Sequence, residues 1–188
     1  MTPRSLAHPA SALMRLVVAS LGLLAGCAPS VPGQEVADVR SHPFIVIEML
    51  RMAAVTPRDV VVDLGSGDGR IVVAAAHEFG ARAIGVEIDP ALVAESHARV
   101  RRYGVDERVT IIQGDLFTAD LRQATVVMLY LSPDLNRRLR PKLLEELPAG
   151  ARIVSQHFDM GDWPPTSRRQ VLADGQREDL YLWVIPER

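Results

Sequence analysis

Five residues with the makings of a ligand site, Asp63, Gly65, Ser66, Gly67 and Gly69, fall within the run Val60-Val-Val-Asp-Leu-Gly-Ser-Gly-Asp-Gly-Arg70. A β-branched apolar run ends in an acid, three glycines follow at alternate positions, and a helical pattern from Ile71 to Phe79 starts at once. Strand, tight turn and helix N-terminus together make a place where backbone N–H groups can meet a nucleotide-like ligand. Glycine suits it because a Cβ would block both the turn dihedrals and the ligand's approach to the backbone. The alternative, an ordinary turn between strand and helix, leaves the framing acids Asp63 and Asp68 unexplained. A dinucleotide fingerprint would need its third glycine at Arg70, so that pattern fails, and no G-K-[ST] follows to make a P-loop.

Two further acids close later apolar runs. Glu87 lies in Gly85-Val-Glu-Ile-Asp-Pro90, 22 residues after Gly65, and Asp115 lies in Gln113-Gly-Asp-Leu116. Ligands of open α/β sheets bind at the carboxyl ends of strands. A carboxylate at Glu87 can accept both hydroxyls of a ribose, whereas Asp89 reads as a helix cap. Each acid alone is a surface residue or a cap. In order, at three successive strand ends, they point jointly to a nucleoside ligand.

The elements that must position these residues alternate. A 3.6-residue rhythm predicts a helix over 43–54, before the first strand at Val60. Strands are predicted over 82–88, 109–113, 124–131 and 151–158, near 169–172 and over 180–185. Helices follow the first two strands, the second running from Asp89 and Pro90 to Gly104. A third spans 134–147, where Pro141 is expected to divide it into two pieces. This alternation implies a Rossmann-like, doubly wound α/β fold, mostly parallel, closed by a C-terminal antiparallel pair of strands.

The pattern Asp63-x-Gly65-x-Gly67-x-Gly69 resembles the first motif of class I S-adenosylmethionine-dependent methyltransferases. That resemblance implies a seven-stranded sheet and S-adenosylmethionine as cofactor. It also implies cofactor contacts from Asp63, Gly65, Ser66, Gly67, Gly69 and Glu87, with Asp115 and the Leu116 backbone at the adenine. Tyr130-Leu-Ser-Pro133, Arg140-Pro-Lys-Leu-Leu-Glu-Glu-Leu147, Gly150-Ala-Arg-Ile-Val-Ser155, Asp159-Met-Gly-Asp-Trp163 and Leu180-Tyr-Leu-Trp-Val-Ile-Pro186 look like one branch of that family. Its members are small bacterial enzymes similar to the mitochondrial lysine methyltransferases of ATP synthase and the nucleotide translocase. One departure stands out: Arg40-Ser-His-Pro-Phe44 replaces the branch's extended Pro-Tyr-x-Pro-[ST]-Pro segment.

Methyl transfer from a sulfonium is an in-line displacement, accelerated chiefly by alignment. A lysine acceptor must first lose a proton, which an apolar channel favours by lowering its pKa. Tyr130 could line such a channel or simply pack under the next helix. His157 could be a general base or a structural histidine. Asp159 and Trp163 follow in a loop expected to lie over the site. Leu129-Tyr-Leu-Ser-Pro133 is not the Asn/Asp-Pro-Pro-Tyr motif of amino-methylating DNA enzymes. The histidines are scattered, so no metal site is expected.

The chain has 188 residues, 48% of them hydrophobic, enough for one domain with a full core. The first 26 residues carry Arg4 and Arg15 and no acid, so 19 basic residues face 23 acidic ones in the rest, a net −4. That weighs against nucleic acid as a partner. Basic clusters at Arg99, Arg101 and Arg102, and at Arg137, Arg138 and Arg140, read as solvated helix faces. The apolar run 16–24 is too short to span a bilayer and has the length of a signal-peptide core. Leu24-Ala25-Gly26-Cys27 resembles the lipobox of bacterial lipoproteins, which makes Cys27, the single cysteine, a lipidation site. The expected organisation is a signal peptide (1–26), a flexible tether (27–39) and a methyltransferase domain (40–188). The favoured function is a monomeric S-adenosylmethionine-dependent methyltransferase acting on a protein lysine. It is expected to be membrane-anchored on the periplasmic or cell-surface side, or cytoplasmic if the signal is unused. The alternatives are a lipid-anchored, non-catalytic nucleoside-binding protein and a small-molecule methyltransferase.

Overall fold

The computed structural model describes residues 40–187, so the expectations for the signal, the tether and Cys27 lie outside the described residues. Its elements are α1 (Pro43–Met52), β1 (Val60–Leu64), α2 (Arg70–Phe79), β2 (Arg82–Glu87), α3 (Pro90–Tyr103) and β3 (Val109–Gln113). There follow β4 (Val126–Leu129), α4 (Pro133–Glu146), β5 (Arg152–Gln156), β6 (Ser167–Ala173) and β7 (Gln176–Val184). The sheet order is β3-β2-β1-β4-β5-β7-β6. Pairs among β1 to β5 are parallel, and β7 runs antiparallel to both β5 and β6. This is the Rossmann-like, mostly parallel sheet with a closing antiparallel pair that the alternation implied, and it has the seven strands that the resemblance implied.

Side chains alternate across each strand, so each face buries its own cluster. Val61, Ala83, Met128, Val154 and Leu180 pack with α1, α2 and Val100 of α3. Val62, Val86, Val127, Ile153 and Trp183 pack with Leu135, Leu139 and Leu143 of α4. Helix ends follow local chemistry. Asp89 accepts from the Ala91 N–H at 2.7 Å to start α3, and Gly104, at φ +63°, ends it.

Three expectations need correction. Pro141 does not divide α4, which runs unbroken from Pro133 to Glu146. Pro141 is exposed, so the hydrogen bond it cannot make falls on the side where water replaces it, while Leu139 and Leu143 hold the buried side. The closing strand begins at Gln176 rather than Leu180, because Asp174 and Gly175 both have positive φ (49° and 77°). Such a two-residue turn matches the twist of a hairpin, and it pairs Ala173 with Gln176. The fifth strand stops at Gln156 instead of Phe158, since His157 turns to φ +69°.

Candidate functional site

The alternation of side chains sets a row of polar residues at the carboxyl edge, on the face that carries α1 and α2. Counting from the buried apolar residues of that face, it contains Glu87 on β2, Asp63 on β1, Tyr130 just after β4, Gln156 on β5 and Glu178 on β7. In sheet order these five span the site from one end to the other.

At the β2–β1 end the glycine loop forms the floor. Its N–H groups are occupied within the protein: those of Gly65 and Ser66 donate to Val86 O, that of Gly69 to Ser66 O, and that of Gly67 to Glu87 Oε2 at 2.8 Å. β2 takes three of these, so most of the N–H donors that the sequence suggested for a ligand are spent on folding the turn. What remains is close approach. A Cβ on Gly67 would stand in open space, with nothing within 4 Å. The Ser66 hydroxyl, expected at the cofactor, is buried without a hydrogen-bond partner among the described residues and packs on the Gly85 position. Gly69 has a packing reason: a Cβ there would meet Ser96 Oγ of α3 at 2.8 Å.

Glu87 is buried, and its carboxylate also accepts from the N–H groups of Ile88 and Asp89, at 2.8 and 2.9 Å. Three bonds fill three of about four acceptor positions, so room is left for one hydroxyl rather than the expected two. Asp63 is buried with no such donors. Burial, and then the charges of Glu87 and Asp68, push its carboxyl up to about 8. Beside Glu87, Ile88 is 68% exposed, an apolar side chain left bare at the edge that sequence reasoning did not single out. Asp115 caps its own turn by accepting from the Phe117 N–H at 2.9 Å, and Leu116 is half-buried against the α4 face.

Asp68 ties this end to the entrance of the site. Burial opposes its charge, yet bonds from Arg70 (2.9 and 2.7 Å) and the guanidinium of Arg99 (2.6 Å) hold the carboxyl below the usual range. Arg99 is thus no solvated cation, as its cluster suggested; it fastens α3 to the loop. Arg70 also donates to Ser41 O at 2.6 Å, and Ser41 Oγ donates to Gln156 Oε1 at 2.6 Å. His42 Nε2 lies 3.2 Å from Asp174 at the hairpin tip. The departing segment Arg40-Ser-His is therefore clamped between the glycine loop, β5 and the β6–β7 hairpin.

At the other end Tyr130 is half-buried, and burial, then the charge of Glu178, raises its phenol above the usual value. His157 is exposed, and its Nδ1 lies 3.1 Å from Glu178 Oε2. Sequence reasoning proposed Tyr130 and His157 and missed Glu178. Trp163 does not cover the site: its ring lies 5.9 Å from that of Trp183, and its carbonyl accepts from the Trp183 indole at 2.9 Å, on the α4 face. Asp159 closes a turn by accepting from the Gly161 N–H.

The sequence family described as the ANTKMT methyltransferase domain matches residues 63–167, more than half of the chain. A protein-lysine N-methyltransferase of Saccharolobus islandicus is 40% identical over 144 residues, 76% of this chain and 89% of the relative. The adenine nucleotide translocase lysine N-methyltransferase of Mus musculus is 43% identical over 108 residues, 57% of this chain. Those residues are 47% of the mouse protein, so the chain spans about half its length. Among solved structures, an RNA methyltransferase from Salinibacter ruber, in complex with S-adenosyl-L-homocysteine, superimposes with a TM-score of 0.75. It is 48% identical, over 80% of this chain and 95% of that one.

Proposed function

The chain belongs to the ANTKMT methyltransferase family, and on that premise we propose that it transfers a methyl group from S-adenosylmethionine to a lysine amine of a protein. The bound cofactor supplies a methyl carbon made electrophilic by its sulfonium. The residues of the β2–β1 end fit such a group. Gly67 leaves open space above a floor without side chains, and Glu87, oriented by three N–H groups, keeps an acceptor position for a ribose hydroxyl. The bare Ile88 offers an apolar surface to a base, and Asp63 lies beneath with a carboxyl that no cation among the described residues pairs. Asp115 and the Leu116 backbone are assigned to the adenine edge, and Gly65 and Gly69 to the shape of the turn.

The observation that carries the amine reading is the acceptor half of the edge row, where the Tyr130 phenol and the Glu178 carboxylate lie, the buried Gln156 between them being engaged through Oε1 by Ser41. An ammonium is attracted there, and in-line approach toward the β1 end aligns it with the methyl carbon. Tyr130 is assigned to lining the channel and His157 to taking the proton. RNA is the other reading, taken from the name of the Salinibacter relative, but 19 basic against 23 acidic residues after the first 26 weigh against it. Leu24-Ala25-Gly26-Cys27 supports a lipid anchor at Cys27, with the acceptor a membrane-associated protein. Methyl-labelled S-adenosylmethionine, incubated with the purified chain and either a membrane-protein extract or total RNA, tests the assignment. Label is expected in the protein fraction; label confined to RNA would overturn it.

A further inference from the structure

His157 stands where the backbone has to be forced. It is not glycine, yet its φ is +69°, a region that costs an ordinary residue of order 1 kcal/mol or more. Such a conformation persists only where the surroundings over-determine it. Here they do. The His157 N–H donates to Asp179 O at 2.7 Å, which carries the β5–β7 pairing one residue beyond Gln156. From the α4 face, the fully buried Asn136 donates to Ser155 Oγ (3.1 Å), Phe158 O (3.1 Å) and Asp159 O (3.3 Å), and Ser155 Oγ donates to Phe158 O at 2.7 Å. The Phe158 ring meets the imidazole edge-on, 4.5 Å between centroids. Buried polar groups are thus spent on fixing one exposed histidine, a poor use of them unless the imidazole matters.

Its Nδ1 faces Glu178. Against a carboxylate, which can only accept, Nδ1 is the ring nitrogen that donates, and in the neutral imidazole this pairing leaves Nε2 as the acceptor. Glu178 is shielded, its side chain 18% exposed, and after burial its charge is the second cause that raises the Tyr130 phenol. We propose that Glu178 is the positioning residue of an acid–base pair with His157, and that this pair deprotonates the acceptor ammonium. The inference rests on the amine reading above. In the step, the ammonium gives one proton to His157 Nε2, and the imidazolium is stabilised by Glu178 at Nδ1. The freed lone pair then forms the N–C bond as the S–C bond breaks, its electron pair staying on sulfur. The imidazolium afterwards releases its proton to solvent. Asp179 on β7 and Asp159 in the following loop also carry charge near the imidazole, but Asp179 is engaged by Arg168 of β6 at 2.7 Å and Asp159 by the Gly161 N–H. Among the described residues, Glu178 is the group that bonds the ring.

The test uses the full chain with methyl-labelled S-adenosylmethionine and a membrane-protein extract as acceptor, comparing wild type, Glu178→Gln, Glu178→Asp, His157→Gln, His157→Ala and the Glu178→Gln/His157→Gln double variant. Glu178→Gln and His157→Gln should each slow single-turnover transfer about a hundredfold at neutral pH, with the double variant no slower than the worse single one. Cofactor affinity by calorimetry should stay unchanged in each. Glu178→Asp should recover part of the rate, added imidazole should rescue His157→Ala, and the pH–rate curve of His157→Gln should lose an inflection that the wild type shows. Lysine methylation at the wild-type rate and pH dependence in both single variants would overturn the pair and leave the amine reading standing. Absence of any amine methylation by wild type would overturn both.

Discussion

Asp63 shows how a single residue's surroundings decide its chemistry. A carboxyl buried without donors, beside two other acids, prefers its neutral form, which is why it stands at about 8. The folded value lies above the ordinary 3.8, so the unfolded chain ionises first as pH rises. The stability Asp63 contributes is full below about pH 4 and is lost as pH climbs through about 8. The thermal midpoint of the ligand-free chain should therefore fall more steeply over that range in wild type than in Asp63→Asn, and parallel curves would count against the assignment. Glu87 is the complementary case, an acid whose three backbone donors fix its aim. Glu87→Ala removes a charged acceptor, worth about 1.5–3 kcal/mol, so S-adenosylmethionine affinity should drop about ten- to a hundredfold by calorimetry. Both acids were legible in the sequence because each ends an apolar run. Glu178 was not: nothing around it is distinctive, and it reaches the site only through the register of a hairpin.

The elements explain that difference. Strands and helices with clear periodicity were read to within a few residues, and so was the cap at Asp89. The hairpin was read as two strands but with its tip missed, although Asp174-Gly175 is a turn signal that would have placed Gln176 to Glu178 above the edge. The glycine loop was recognised by spacing, but its spacing could not reveal that β2 takes the N–H groups of Gly65, Ser66 and Gly67. Two substitutions separate the roles of its glycines. Gly67→Ala meets no neighbour and adds only the strain of φ +54°, about 1 kcal/mol, while filling space left for the ligand. It should weaken cofactor binding more than it lowers the denaturation midpoint. Gly69→Ala drives a Cβ against Ser96 on α3, 2.8 Å from its Oγ and 3.3 Å from its Cα, and should cost about 3 kcal/mol or more. Equal effects of the two on both readouts would contradict this division.

For the molecule as a whole, the row from Glu87 to Glu178 runs along one edge, and the proposed function assigns nucleoside recognition to β2 and β1 and amine handling to β4, β5 and β7. We propose that a lipid on Cys27 tethers the domain to a membrane. Replacing Cys27 by Ser should move the chain from the membrane to the soluble fraction, and unchanged fractionation would remove the anchor from the account. The most direct measurement is mass spectrometry of the labelled acceptor after reaction with the full chain and S-adenosylmethionine, with Glu87→Ala run alongside. Methyl groups on a lysine side-chain nitrogen, depleted in the Glu87→Ala reaction, are the predicted result. Methyl groups on a nucleobase with no methyl-lysine in any protein would contradict the central claim.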